Sequence, residues 1–254
     1  MQWLRFRHGG EIGFGSLDDD VVRCHDGAMF DAPRPTGRTI PVADIEWLPP
    51  CVPGKIIGLW NNFRAAAAKN GWAAPADPLY FLKSPGCAAA QDQAVRVPPS
   101  YDGRVAYEGE LAVVIGRRAR TVAPADAAAH IFGYSCANDL TALELLQRDP
   151  AFAQWTRAKS CDGFGPFGPV IETEFDPSEA RLRTIVSGRE RQNFALADMF
   201  FGPAELVSRI SHDMTLEPGD VIFCGTSLGV LPLKPGSTVE VVIDGIGTLR
   251  NVYG

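Results

Sequence analysis

Glu108 and Glu110 stand two apart in the run RVAYEGELAVVIG. Its alternating and then continuously apolar character predicts a core strand about ten residues long. On a strand that spacing sends both carboxylates to one face, which Ala112 and Val114 share, so the pair is expected to be partly buried. Two acids in such a setting repel and raise each other's pKa unless a cation neutralises them. A bound divalent ion is one solution. The ordinary alternative is a strand end whose acids still reach water. Asp139 closes the strand-like stretch IFGYSCAN. Taken singly it reads as the N-cap of a following helix, TALELLQ, a common use of aspartate. It becomes a third oxygen ligand only if the two strands meet in the core. Three carboxylates without histidine favour a hard cation, Mg²⁺ first and Mn²⁺ or Ca²⁺ as alternatives, with water or substrate completing the shell.

The elements that must position these groups are mostly strands. Residues 1–50 read as short strands broken by Gly, Asp and Pro, and form the expected small N-terminal β domain. The Pro-rich stretch LPPCVPG marks the boundary to a second domain over residues 51–254. KIIGLW and LYFLK read as strands on either side of the Ala-rich, helix-prone NNFRAAAAKNGW. Helical segments are expected over 124–131, 139–148 and 203–213. DVIFCG, STVEVVIDG and IGTLRN return the chain to strand, with turns at Pro218-Gly219 and Pro235-Gly236. The fold class is therefore α+β and strand-dominated.

Composition narrows the functions. The 254 residues are 46% hydrophobic and 21% charged, the balance of a folding globular chain. A net charge of −6 with no Lys/Arg stripe argues against a nucleic-acid partner. No apolar run approaches the roughly 20 residues that span a bilayer, and the first residues lack a signal-peptide core, so a soluble cytoplasmic protein with no membrane partner is expected. The six cysteines are scattered without zinc-like spacing and are expected to be reduced. The four histidines form no HExxH or other paired arrangement.

The succession KIIGLWNNF, LYFLKSP, YEGELAVVIG, GYSCANDLTA, WTRAKSCDGFGPFGPVI, LEPGDVIFCGTSLGVLPLKPG and VEVVIDGIGTLRN resembles the fumarylacetoacetate hydrolase family over residues 50–254, and the N-terminal β segment is similar to the family's small leading domain. The resemblance implies a mixed β-sandwich or β-roll core, a homodimer, and a metal site at one open end. It places the family's E-x-E pair on Glu108 and Glu110 and its Asn-Asp carboxylate on Asp139. It also places a catalytic lysine on Lys159, a strand-end Gly-Thr on Gly225 and Thr226, and a pocket-lining lysine on Lys83. Lys159 would set a cation beside a developing enolate or a substrate carboxylate. Thr226 would offer its hydroxyl and backbone N–H to a carboxylate, a turn residue being the plainer reading. Lys83, following apolar positions, has the alternative of snorkelling out of the core.

Two departures accompany the resemblance. Where many members carry a His-x-x-Glu pair on a mobile lid, this chain has Ala66 and Lys69. The run after Asp139 reads Ala142, Leu143, Glu144, Leu145, Leu146 and Gln147, without the arginine that binds a carboxylate in some members. Arg64 is the candidate replacement anion contact, a solvent-exposed lid arginine the alternative. The implied activity is metal-dependent cleavage of a carbon–carbon bond, by hydrolysis or decarboxylation, in a small anionic 2-oxo or 2,4-dioxo acid. The alternatives are isomerisation or tautomerisation of a 2-hydroxy-dienedioate, as in aromatic catabolism, and a metal-stabilised binding protein with reduced catalysis.

Overall fold

The apolar runs become strands at nearly the expected places. The computed structural model describes residues 1–254. Ile56–Trp60, Leu79–Lys83, Gly109–Ile115, Ile131–Asn138, Gly165–Glu172 and Val221–Phe223 belong to one twelve-stranded sheet. The strands Gln2–His8, Glu11–Asp18, Val21–Ala28 and Asp31–Pro41 extend that same sheet, joined through Gln2 against Glu172 and Trp3 against Ile171. A second sheet of five strands holds Arg181–Val186, Arg189–Ala195, Ser237–Ile243, Gly247–Tyr253 and Ala94–Val95. The fold is α+β and strand-dominated, of the β-sandwich and β-roll kind.

Gly109–Ile115 is buried on both faces. Leu111, Val113 and Ile115 enter one apolar core with Leu182, Val241 and Leu249 of the second sheet, while Ala112 and Val114 enter the other with Tyr107, Leu140 and Phe223. Covering both faces explains the continuously apolar sequence. Gly109 is required at the head of this strand: a Cβ there would lie 2.1 Å from Thr184 Oγ1 and 3.1 Å from Gln192 Oε1.

Several expected elements are shorter. The core strand spans seven residues, with Val105–Ala106 pairing separately against Thr141–Ala142 and Glu108 just ahead of the main strand. The expected helix over 139–148 shrinks to one turn, Leu143–Leu146, because Thr141 and Ala142 are taken up in that pairing. Asp139 is therefore not its N-cap; Ala142 occupies that position. The segment 124–131 yields only a 3-10 turn at Ala127–His130 before the next strand starts at Ile131, too short a stretch for Ala propensity to sustain a helix. Trp155–Lys159, not anticipated, forms a short helix. Arg64–Asn70 and Pro203–Asp213 are helical as expected, the former ended by Gly71 at φ 68° in the left-handed conformation. No helix is long and apolar enough to cross a membrane. All six cysteines are free thiols, five of them buried.

Candidate active site and metal centre

Strand register brings the three acids together. Gly109–Ile115 runs antiparallel to Ile131–Asn138 with Gly109 opposite Asn138 and Glu110 opposite Ala137. One residue beyond that ladder, the Asp139 amide donates to the Glu108 carbonyl at 2.9 Å and the Glu108 amide to Asn138 Oδ1 at 3.0 Å. On the other side, Ala112 pairs with Phe223, so the chain after Val221–Phe223 reaches Glu110, whose Oε2 accepts from the Gly225 amide at 2.5 Å. Gly225 takes φ 89°, which only glycine adopts without strain. One carboxylate oxygen from each of Glu108, Glu110 and Asp139 lies within 4.8 Å of the others.

Two lysines face the acids. Lys159 Nζ donates to Asp139 Oδ2 at 2.6 Å and Glu108 Oε2 at 3.0 Å, while Lys83 Nζ donates to Asp139 Oδ1 at 2.6 Å and the Phe164 carbonyl at 3.1 Å, and also to the Lys159 carbonyl. Thr141 Oγ1 donates to Glu108 Oε1. Glu110, Asp139 and Lys83 are buried, and Glu108 alone of the acids keeps part of its side chain, 18%, exposed. With all five groups ionised, three acids against two ammonium groups would leave this buried group one negative charge in excess.

The ionisation shifts follow. Burial, then the charges of Asp139 and Glu108, pushes the Glu110 carboxyl well above its ordinary range. Burial also raises Asp139, but Lys159 and Lys83 outweigh it and hold the carboxyl below its usual value. Burial opposes the Lys159 ammonium, yet Asp139, Glu108 and Glu110 together raise its pKa, so it stays protonated. Glu110 Oε1 is buried and has no hydrogen-bond partner. An orphaned carboxylate oxygen facing two other carboxylates, with negative charge in excess, fits a divalent cation bound by oxygen.

A cavity of about 320 Å³ opens above the acids. Glu108, Lys159, Thr141, Thr226 and Ser227 stand on its polar side and Trp60, Phe81, Leu143, Leu146 and Trp155 on its apolar side. Ala66 and Lys69 of the Arg64–Asn70 helix also line it. None of the histidines does.

Other assignments change. Lys83 neither snorkels outward nor lines the cavity: its side chain is wholly buried behind Asp139, held by the carboxylate and two carbonyls. Arg64 turns away from the cavity; its guanidinium donates to the Met199 carbonyl and lies 5.0 Å over the Phe200 ring. Thr226 lines the cavity, but its hydroxyl donates to the Gly109 carbonyl at 2.8 Å and accepts from Gln192 Nε2 at 2.9 Å, anchoring the loop. Gly225 serves the Glu110 carboxylate through its amide.

Three polar residues at the site had no sequence signal. Gln192 ties Gly109, Thr184 and Thr226 together from the second sheet. Asn61 donates to the Ala73 carbonyl at 3.0 Å across the base of the lid, leaving its Oδ1 buried without a partner, and Ser227 Oγ is likewise buried and unpartnered. Asn61 and Ser227 line the cavity. Isolated amides and hydroxyls carry no periodicity or spacing. Only the left-handed backbone of Asn61, φ 54°, has a basis in residue type, the tolerance of asparagine for that region.

The chain belongs to the fumarylacetoacetate hydrolase family: the family model described as fumarylacetoacetate (FAA) hydrolase C-terminal matches residues 55–253. A second model, described as Rv2993c-like, N-terminal, matches residues 1–50. A solved structure of 5-carboxymethyl-2-hydroxymuconate delta-isomerase from Mycobacterium smegmatis is 38% identical, with a TM-score of 0.92 over 100% of this chain and 99% of that one. The structure of 2-hydroxyhepta-2,4-diene-1,7-dioate isomerase from Mycobacterium marinum is 36% identical, with a TM-score of 0.91 over 100% and 98%. The oxaloacetate tautomerase YisK of Bacillus subtilis is 37% identical over 78% of this chain and 69% of its own length.

Proposed function

We propose that the chain is a divalent-metal-dependent isomerase of a small 2-oxo acid, interconverting enol and keto forms or shifting a double bond next to the 2-oxo group, as on a 2-hydroxy-dienedioate of aromatic catabolism. The observation that carries this reading is the convergence of Glu108, Glu110 and Asp139, with protonated Lys159, beneath a cavity of substrate size. Isomerisation is preferred to the carbon–carbon cleavage that the sequence put first, because two similar solved structures are named as isomerases and a similar sequence as a tautomerase. The lid wall agrees: Ala66 and Lys69 offer no imidazole or carboxylate to activate an attacking water. A binding protein without catalysis has no use for so costly a cluster of buried charge.

Glu108, Glu110 and Asp139 would hold the cation, Mg²⁺ in first place. When bound, it supplies Lewis-acid polarisation of the 2-oxo and carboxylate oxygens. The protein's own groups do the rest. Lys159 Nζ keeps its proton and is aimed by Asp139 and Glu108, so it sets a fixed positive charge beside oxygen that gains electrons. Ser227 and Asn61 line the cavity, each with a buried oxygen that has no partner. Trp60, Trp155, Leu143 and Leu146 exclude water from the substrate's carbon chain.

The test is a matched panel with Mg²⁺ and with EDTA: ketonisation of enol-oxaloacetate and of a 2-hydroxy-dienedioate, decarboxylation of oxaloacetate, and hydrolysis of an acylpyruvate. Mg²⁺-dependent ketonisation faster than hydrolysis is expected. Hydrolysis or decarboxylation as the fastest reaction, or ketonisation indifferent to EDTA, contradicts the reading.

A further inference from the structure

Resting on the isomerase reading, we propose that Lys69 is the specificity-determining residue that binds the second carboxylate, the one far from the 2-oxo group, of a dicarboxylate substrate.

The basic groups near the cavity are unequal. Lys159 is on the wall, but its ammonium is committed to Asp139 and Glu108. Lys83 is buried behind Asp139, and Arg64 is turned onto the Met199 carbonyl. Lys69 lines the cavity, and no carboxylate of this chain pairs with it. Lys69 and Asn70 follow Ala66 by three and four residues, the spacings that helical geometry sets beside it, and all three line the cavity. Ala66 is uncharged and the Asn70 amide donates to the Ala66 carbonyl at 2.8 Å, so Lys69 is the one charge on that face. Leu143, Leu146, Trp60 and Trp155, also on the wall, bring no anion to compete for it.

Charge balance points the same way. Fully ionised, the buried group of three acids and two lysines would carry one excess negative charge, which a divalent cation would turn into one positive charge. A monocarboxylate neutralises that by itself and leaves Lys69 without a counter-ion. A dicarboxylate leaves one negative charge, which Lys69 cancels. Lys69 is exposed in the free chain, and a substrate seated against Trp60, Trp155 and Leu143 would displace part of its water, so that a charge-assisted contact there discriminates between substrates.

The experiment uses binding, not turnover. 2-Oxoglutarate and 2-oxovalerate differ by a distal carboxylate in place of a methyl group, and each is titrated into the whole chain with Mg²⁺ while the fluorescence of Trp60, Trp72 and Trp155, all on the cavity wall, is followed. The wild type should prefer 2-oxoglutarate. Lys69→Met should weaken 2-oxoglutarate about tenfold while leaving 2-oxovalerate unchanged, and Lys69→Arg should restore the preference. Wild-type preference for 2-oxovalerate, an equal effect of Lys69→Met on both ligands, or no binding of either overturns the proposal. Repetition with EDTA separates the two levels. Charge preference that persists without Mg²⁺ dependence contradicts the metal reading and spares Lys69. Mg²⁺-dependent binding without charge preference contradicts Lys69 alone.

Discussion

The buried carboxylate cluster and the lid helix were both marked by the same sequence run of motifs, yet they differ in how firmly the fold determines them. At the cluster, Asp139 is fixed by two ammonium groups, Lys159 by two carboxylates and Glu108 by Thr141 and Lys159, while Glu110 is held by the Gly225 amide alone. Removing any one strands the others in a dry interior, so residue identity there is tightly constrained. On the lid, Arg64 found a carbonyl and an aromatic ring away from the cavity, and Lys69 has no carboxylate partner. Position in a motif therefore constrains a buried charge more tightly than an exposed one. The first has no other place to go, and the second has many.

The contrast should break first at Asp139. Asp139→Ala leaves buried Lys83 without a carboxylate and Lys159 with Glu108 alone, and should destabilise the chain by about 3–5 kcal/mol, read as a lowered denaturant midpoint at unchanged slope. A loss below about 1 kcal/mol would mean that the lysines find other partners and that the cluster is not the rigid unit described.

Next, Lys159→Met should lower ketonisation roughly ten- to thousand-fold, the range for loss of a charge-stabilising donor, while Mn²⁺ still binds. An unchanged rate would return Lys159 to a structural role.

On the lid the effects should be smaller. Arg64→Ala removes only the Met199 and Phe200 contacts and should change stability by less than about 1 kcal/mol, with little effect on KM for any oxo acid. A large rise in KM would restore Arg64 as an anion contact.

The smallest effect concerns the cavity wall at Leu143–Leu146. Glu144 accepts from the Tyr101 hydroxyl and from Arg104 Nε at 2.7 Å, and these bonds, Tyr101 first, bring its carboxyl down to about 2. A depressed acid stabilises the fold above its unfolded value of 4.5 and loses that contribution as pH falls toward about 2. Glu144→Gln should therefore flatten the acid limb of a stability profile in that window. Because the pair is largely exposed, the change should be slight, and an unaltered limb would show that the tether contributes nothing.

How much of this was legible turns on particular residues. Glu108 and Glu110 were readable because a two-residue spacing on an apolar strand has one geometric meaning. Asp139 was ambiguous between cap and ligand, and only the pairing of Thr141–Ala142 with Val105–Ala106 removes the helix it would have capped. Lys83 looked like a snorkelling residue because nothing local reveals that the Lys159 and Phe164 carbonyls await it. Gln192 was invisible: it comes from the second sheet and reaches the site only because Gly109 leaves room. Contacts made through register between distant strands are what a linear pattern does not encode.

The central claim is that Glu108, Glu110 and Asp139 form one oxygen-donor site for a divalent cation. Titration of the metal-free chain with Mn²⁺, followed by the loss of the free-ion electron paramagnetic resonance signal, tests it most directly. The account predicts a single ion per chain, displaced by Mg²⁺, with affinity reduced more than about tenfold in Glu110→Gln, since even indirect partners of a metal site are worth that much. Absence of binding, or binding that Glu110→Gln leaves unchanged, would contradict it.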